Sequence, residues 1–171
     1  MRSFIAIEVP FTKEMESLQN SIEGRVKLVE RENVHITLKF LGEIDEKTFE
    51  MVRQIVEDCK VGSFKITLRG VGFFPNERYV RVVWIGVDNY EPIERMARCI
   101  DEKLRKIGFQ REKSYVPHLT VARAKGRITI RNLEKFKNMR FAEMEVKEIK
   151  IKKSTLTPNG PVYEDLATIQ L

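Results

Sequence analysis

The chain has 171 residues, 42% of them apolar, enough to bury a core in one domain, or in two small lobes sharing one, without a metal or disulfide staple. Charged residues make up 33% and are mixed in sign, which excludes the polar, strongly charged class of disordered chains. The net charge of +6 and pI of about 9.3 favour an anionic partner such as nucleic acid or a nucleotide, the alternative being an ordinary solvated Lys/Glu-rich surface.

Residues 3–9 (SFIAIEV) alternate, are rich in β-branched side chains and predict a first strand. The opening MRSFIAIEVP is too short for a signal peptide and runs into Pro10 and then charges. No apolar run approaches the ~20 residues that cross a bilayer. A cytoplasmic protein with no membrane partner is expected. Met15, Leu18 and Ile22 fall at helical spacing within 11–24, with Gly24 as the stop. Val26–Val29 and Val34–Leu41 read as strands around the polar turn Glu30–Asn33. Asp45 is a good N-cap for a helix over 45–60, whose Phe49, Val52, Ile55 and Val56 form one stripe. Strands at 64–74 and 79–87 flank the turn Pro75-Asn76-Glu77-Arg78. A second long helix runs from Tyr90 to Ile107, with Gly108 as its stop. A strand at 117–124, a short helix near 131–138, and strands at 143–152 and 162–171 complete the chain.

No linker separates the halves, and each carries a long amphipathic helix, several strands and one His-x-Thr strand. Interleaved helices and hairpin-like strands predict an α+β fold, with helices outside mostly antiparallel sheets. Two such lobes facing a groove would be a natural arrangement, and 1–171 is taken as one domain. Cys59 and Cys99 sit in amphipathic stretches and read as small buried hydrophobes. No Cys–His cluster has zinc-ligand spacing, so neither a metal nor a cofactor is expected.

The two histidines of the chain lie in His35-Ile36-Thr37-Leu38 and His118-Leu119-Thr120-Val121. Strand side chains alternate faces, so His35 and Thr37 share one face, with Lys39 next along it, and Ile36, Leu38 and Phe40 point the other way. His118 and Thr120 share a face in the same manner. A lone His-x-Thr on a strand is ordinarily a half-buried histidine beside a β-prone threonine. The repeat of the pattern, once per half and using every histidine, argues instead for function. Two imidazoles with pKa near ~6.5 can hold opposite protonation states as acid and base. Threonine hydroxyls can donate to non-bridging phosphate oxygens. That set suits opening a cyclic phosphate, which needs a base for water and an acid for the leaving oxygen. Lys39, Arg81, Arg123 and Lys125 lie nearby. For all but Arg123, a solvated surface charge is the simpler expectation. Arg123 follows His118 by five positions, so an untwisted strand sends it to the opposite face; a bulge or twist would be needed to bring it to phosphate.

The segments HITLKFLGE at 35–43 and YVPHLTVAR at 115–123 resemble the two signatures of the two-histidine phosphoesterases, in the branch of RNA 2′,3′-cyclic phosphodiesterases and 2′-5′ RNA ligases. The likeness extends to RSFIAIEVP, GVGFFPNERYVRVVWIGV and KSTLTPNGPVYEDL. It implies a bilobal fold with pseudo-twofold symmetry, two sheets facing a central groove, and hydrolysis of RNA 2′,3′-cyclic phosphate ends to 2′-phosphates. It also implies His35 as the acid protonating O3′, His118 as the base, and Thr37, Thr120 and Arg123 as phosphate binders. Tyr115 and Tyr163 receive no role. Phe40 and Phe74 are expected in the core, with base stacking the alternative. The implied partner is RNA with a cyclic phosphate end, tRNA halves included, met by a monomer. The competing expectations are a 2′-5′ ligase or 2′-5′ phosphodiesterase, and a basic RNA-binding module that only recognises terminal phosphate.

Overall fold

The computed structural model describes residues Met1–Leu171. Nine strands and four helices follow in chain order: β1 (Arg2–Glu8), α1 (Lys13–Asn20), β2 (Ile22–Leu28), β3 (His35–Glu43), α2 (Glu46–Cys59), β4 (Phe64–Asn76), β5 (Tyr79–Asp88), α3 (Glu91–Arg105), β6 (His118–Ile130), α4 (Leu133–Phe136), β7 (Arg140–Val146), β8 (Glu148–Thr157) and β9 (Gly160–Gln170). The helix signals act locally as expected. Asp45 caps α2 by accepting from Thr48 N at 2.7 Å. Gly108 follows α3 at φ +106°, where the left-handed turn favours glycine. Thr12, which the apolar spacing does not single out, caps α1 by accepting from Met15 N.

Every strand pair is antiparallel. β9, β8, β1 and β3 run side by side in one half, and β7, β4, β5 and β6 in the other, with β2 also on β6. The halves join into one hydrogen-bonded set through a single residue pair, Ile36 opposite Leu119, where β3 meets β6. The fold is therefore α+β and bilobal as expected, but the lobes are not the sequence halves. The C-terminal strands β8 and β9 build the lobe that begins with β1, and β4–β5 from the first half build the lobe of β6. Helices cross over as well: α1 follows β1 yet packs on β2, β6 and β7, while α3 follows β5 yet packs on β3. One apolar cluster, including Ile5, Ile36, Leu68, Ile85, Ile100 and Leu119, underlies both lobes.

Several expectations are corrected. Gly24 is not a helix stop; α1 ends at Asn20, and Gly24 lies inside β2 at φ +115°, where an added Cβ would meet Arg127 O at 2.3 Å. The strand predicted over 143–152 is two strands that break at Lys147, because β7 pairs with β4 and β8 with β1 in opposite lobes. The short helix near 131–138 shrinks to Leu133–Phe136, behind Asn132 at φ +55°. Cys59 and Cys99 are not free hydrophobes but a disulfide that ties α2 to α3. Their separation of 40 residues gave no local sign of the pairing.

Candidate active site

One groove of about 440 Å³ is lined by His35, Thr37, His118, Thr120 and Arg123, so the structure brings all five sequence-predicted site residues together. The reason is the Ile36–Leu119 junction. Both residues are fully buried and each follows its histidine, so both histidines face away from the core on the same side. The antiparallel sense about that pair carries His35 toward Thr120 and Thr37 toward His118. The Thr37 carbonyl accepts from the Tyr115 hydroxyl at 2.8 Å, and the Thr37 side-chain hydroxyl is left to the groove.

Each motif strand then carries a bulge one residue past its threonine. On β3, Thr37 pairs with Ala6 and Lys39 with Ile5, leaving Leu38 extra. On β6, Thr120 pairs with Trp84 and Ala122 with Val83, leaving Val121 extra. An extra residue inverts the alternation beyond it. On β6 this returns Arg123 to the groove face, which a regular strand would have denied it. On β3 it brings Phe40 to the groove, 64% exposed, and sends Lys39 inward to 5% exposure. Both assignments reverse the expectation of a buried Phe40 and a solvated Lys39. Phe40 and Arg123 occupy equivalent positions, five residues after each histidine.

The two imidazoles are fixed alike. His35 Nδ1 lies 2.6 Å from Asn33 O, and His118 Nδ1 lies 2.6 Å from Val116 O. A carbonyl only accepts, so each Nδ1 carries a proton and each Nε2 is the exchanging nitrogen. Burial holds both histidines below the ordinary 6.5, with Lys152 and Arg123 adding repulsion at His35 and Arg123 at His118. Aromatic rings wall each one. Phe4 and Tyr163 stand 5.0 and 5.5 Å from the His35 ring centre, and Phe74 and Trp84 stand 5.0 and 5.9 Å from that of His118. Trp84 fits because its partner across the ladder is Gly72, where a Cβ would come within 2.1 Å of the indole. The Trp84 Nε1 is buried with no hydrogen-bond partner.

Phe74 is thus a groove wall rather than core packing. Lys39 Nζ donates to Asp101 Oδ1 at 2.7 Å and Gln110 O at 2.9 Å. Asp101 also accepts from Glu112 N. With the Tyr115 bond, these contacts fasten the segment leading to His118 onto the strand that carries His35. Arg81 and Lys125 lie outside the groove lining, on an adjoining channel. Sequence reasoning missed the carbonyls of Asn33 and Val116, which leave no side-chain signature, and the walls Phe4, Tyr163 and Trp84. The equal offset of two residues before each histidine was the one available sign of the carbonyls. No group of three or more His, Cys, Asp or Glu side chains gathers as a metal-holding set.

A family model described as the 2′-5′ RNA ligase superfamily matches residues 7–155. A protein of Methanocaldococcus jannaschii named RNA 2′,3′-cyclic phosphodiesterase is 45% identical, over 96% of this chain and 97% of its own. A protein of the same name from Methanothermobacter thermautotrophicus is 38% identical over 100% of this chain and 99% of its own. Among solved structures, one from Thermus thermophilus superposes with a TM-score of 0.82 at 26% identity, covering 100% of this chain and 98% of that one. The E. coli LigT complex with 3′-AMP has a TM-score of 0.80 at 23% identity, covering 99% and 97%, a likeness of fold.

Proposed function

The chain belongs to the 2′-5′ RNA ligase superfamily, and from that premise we propose that it hydrolyses RNA 2′,3′-cyclic phosphate ends to 2′-phosphomonoesters by two-histidine acid–base catalysis. The observation that carries this reading is the pair of imidazoles lining one groove, each with Nδ1 committed to a backbone carbonyl and Nε2 left for proton exchange. In the reaction His118 Nε2 takes a proton from water as the water oxygen bonds to phosphorus. The P–O3′ bond breaks, and His35 Nε2–H gives its proton to O3′. One proton enters the site and one leaves it, so the pair ends with its roles exchanged and resets through solvent. The two surroundings are near-equivalent, and the assignment of acid and base follows the family resemblance. Thr37 and Thr120 donate to the non-bridging oxygens, and Arg123 offsets the charge that gathers there.

If the 5′-hydroxyl of a second RNA replaces water, the same bonds form and break and the product is a 2′-5′ phosphodiester. Membership of a superfamily named for 2′-5′ RNA ligation favours this second outcome. Product analysis tests both. RNA ending in a 2′,3′-cyclic phosphate is expected to give 2′-phosphate ends, and a 3′-phosphate product or no turnover would overturn the reading. His35→Ala and His118→Ala are each expected to lose at least ~10²-fold in kcat, the ordinary scale of general acid–base catalysis, while RNA binding changes little.

A further inference from the structure

A second channel opens where the groove ends at Arg123. β5 and β6 stay paired as far as Val82 opposite Arg123 and then part. Between them lies a cavity of about 910 Å³, walled by Arg78 of the β4–β5 turn, Tyr79 and Arg81 of β5, and Lys125 and Arg127 of β6. Arg25 of β2 adjoins it, its stem lying over Gly126, where a Cβ would stand 3.3 Å from Arg25 Cβ.

None of these five cations is engaged by an acidic side chain. Glu77, the acid of the channel wall, is drawn to Lys137 at 3.6 Å. Cations on the helical side are commonly paired, as in Arg53–Glu50, Lys60–Glu57 and Arg98–Glu94. Unpaired like charges on one face repel each other, and the arrangement becomes favourable when a polyanion lies on them. Alternate residues on a strand are spaced by ~6.6 Å, the order of the repeat between phosphates of an extended single strand. Tyr79 is 59% exposed and its hydroxyl accepts from Arg81 Nη1 at 2.8 Å, with the guanidinium 5.6 Å from the ring centre. A ring held this way can stack a base without sequence preference.

We propose that this channel binds the single-stranded RNA leading into the terminal phosphate, so that Arg25, Arg78, Arg81, Lys125 and Arg127 hold upstream phosphates and Tyr79 carries a base. The inference rests on the groove being a site for an RNA end. It makes the enzyme selective for polynucleotide ends over mononucleotides.

The test compares two four-residue variants. One replaces Arg78, Arg81, Lys125 and Arg127 by Gln. The control replaces Lys13, Lys47, Arg95 and Arg105, exposed on α1, α2 and α3, and removes the same charge. Binding of a fluorescent RNA decamer ending in a 3′-phosphate is followed by anisotropy between low and moderate salt, and turnover of uridine 2′,3′-cyclic phosphate is measured alongside. The channel variant is expected to weaken decamer binding by at least tenfold and to flatten log Kd against log salt by about 3, at ~0.7 per lost phosphate contact. Mononucleotide turnover should stay within twofold, and the control should change neither. Unchanged decamer binding, an equal loss in the control, or a parallel fall in mononucleotide turnover would overturn the proposal. Failure of the wild-type protein to open either uridine 2′,3′-cyclic phosphate or RNA ending in a 2′,3′-cyclic phosphate would instead overturn the catalytic reading, and the binding comparison would still decide the channel.

Discussion

His35 and His118 enter the proposed reaction biased toward the neutral form, since burial and nearby cations hold both below 6.5. The two titrate as an interacting pair, and a bell-shaped kcat/KM profile reports the pair. Its maximum is expected on the acid side of 6.5, and a maximum above 7 would contradict the site electrostatics. Loss of the acid in His35→Ala should remove the alkaline limb of the residual activity, and loss of the base in His118→Ala the acidic limb; the reverse would exchange the roles. The same shifts bear on stability. Each imidazole binds its proton more weakly folded than unfolded, so the unfolded chain takes up more protons as pH falls below the unfolded value near 6.5. Stability from these two groups is fully present above that pH and declines below it. The fall in Tm between pH 7 and 5 should be smaller in the His35→Asn/His118→Asn double variant.

The decisive features of β3 and β6 are their bulges. By inverting the alternation after Thr37 and Thr120, they bring Arg123 to the groove and turn Lys39 toward α3. Lys39 is 4% exposed in its side chain and paired with Asp101, so removing one partner leaves a buried charge. Lys39→Met is expected to cost about 3 to 5 kcal/mol, read by denaturant unfolding. Across the β4–β5 ladder, Gly72 lets Trp84 lie against the backbone and so against His118. Gly72→Ala should displace the indole, costing about 1 to 3 kcal/mol of stability and lowering kcat more than it raises KM. Unchanged kinetics would show that the wall does not set the imidazole.

Across the whole molecule, the lobes are joined by one strand contact and by crossing helices, while the Cys59–Cys99 link ties α2 to α3, which pack on β9 and β3 of one lobe. Closing a loop of this length restricts the unfolded chain, so reduction, or a Cys59→Ser/Cys99→Ser variant, should lose about 2 to 4 kcal/mol. Because the link lies among the helices, away from the groove lining, turnover at moderate temperature should survive it. The expected reaction uses two imidazoles and no metal, so activity should persist in EDTA; abolition by chelator, restored by a divalent cation, would require a different mechanism.

Local patterns carried a good part of this in the sequence. Apolar periodicity and the Asp45 and Gly108 signals set α2 and α3 within a residue or two, because capping and burial stripes depend on neighbours along the chain. The repeated His-x-Thr pattern picked out His35, Thr37, His118 and Thr120, because alternation ties i to i+2 on any regular strand. What tertiary structure decided depends on partners far away in the chain. The destination of Lys39, Phe40 and Arg123 turned on bulges, which exist only relative to a neighbouring strand. The split of 143–152 came from β7 and β8 pairing in different lobes. The disulfide came from two helices packing together. The meeting of both histidines in one groove came from a single pair, Ile36 against Leu119, which a one-dimensional pattern contains no means of aligning.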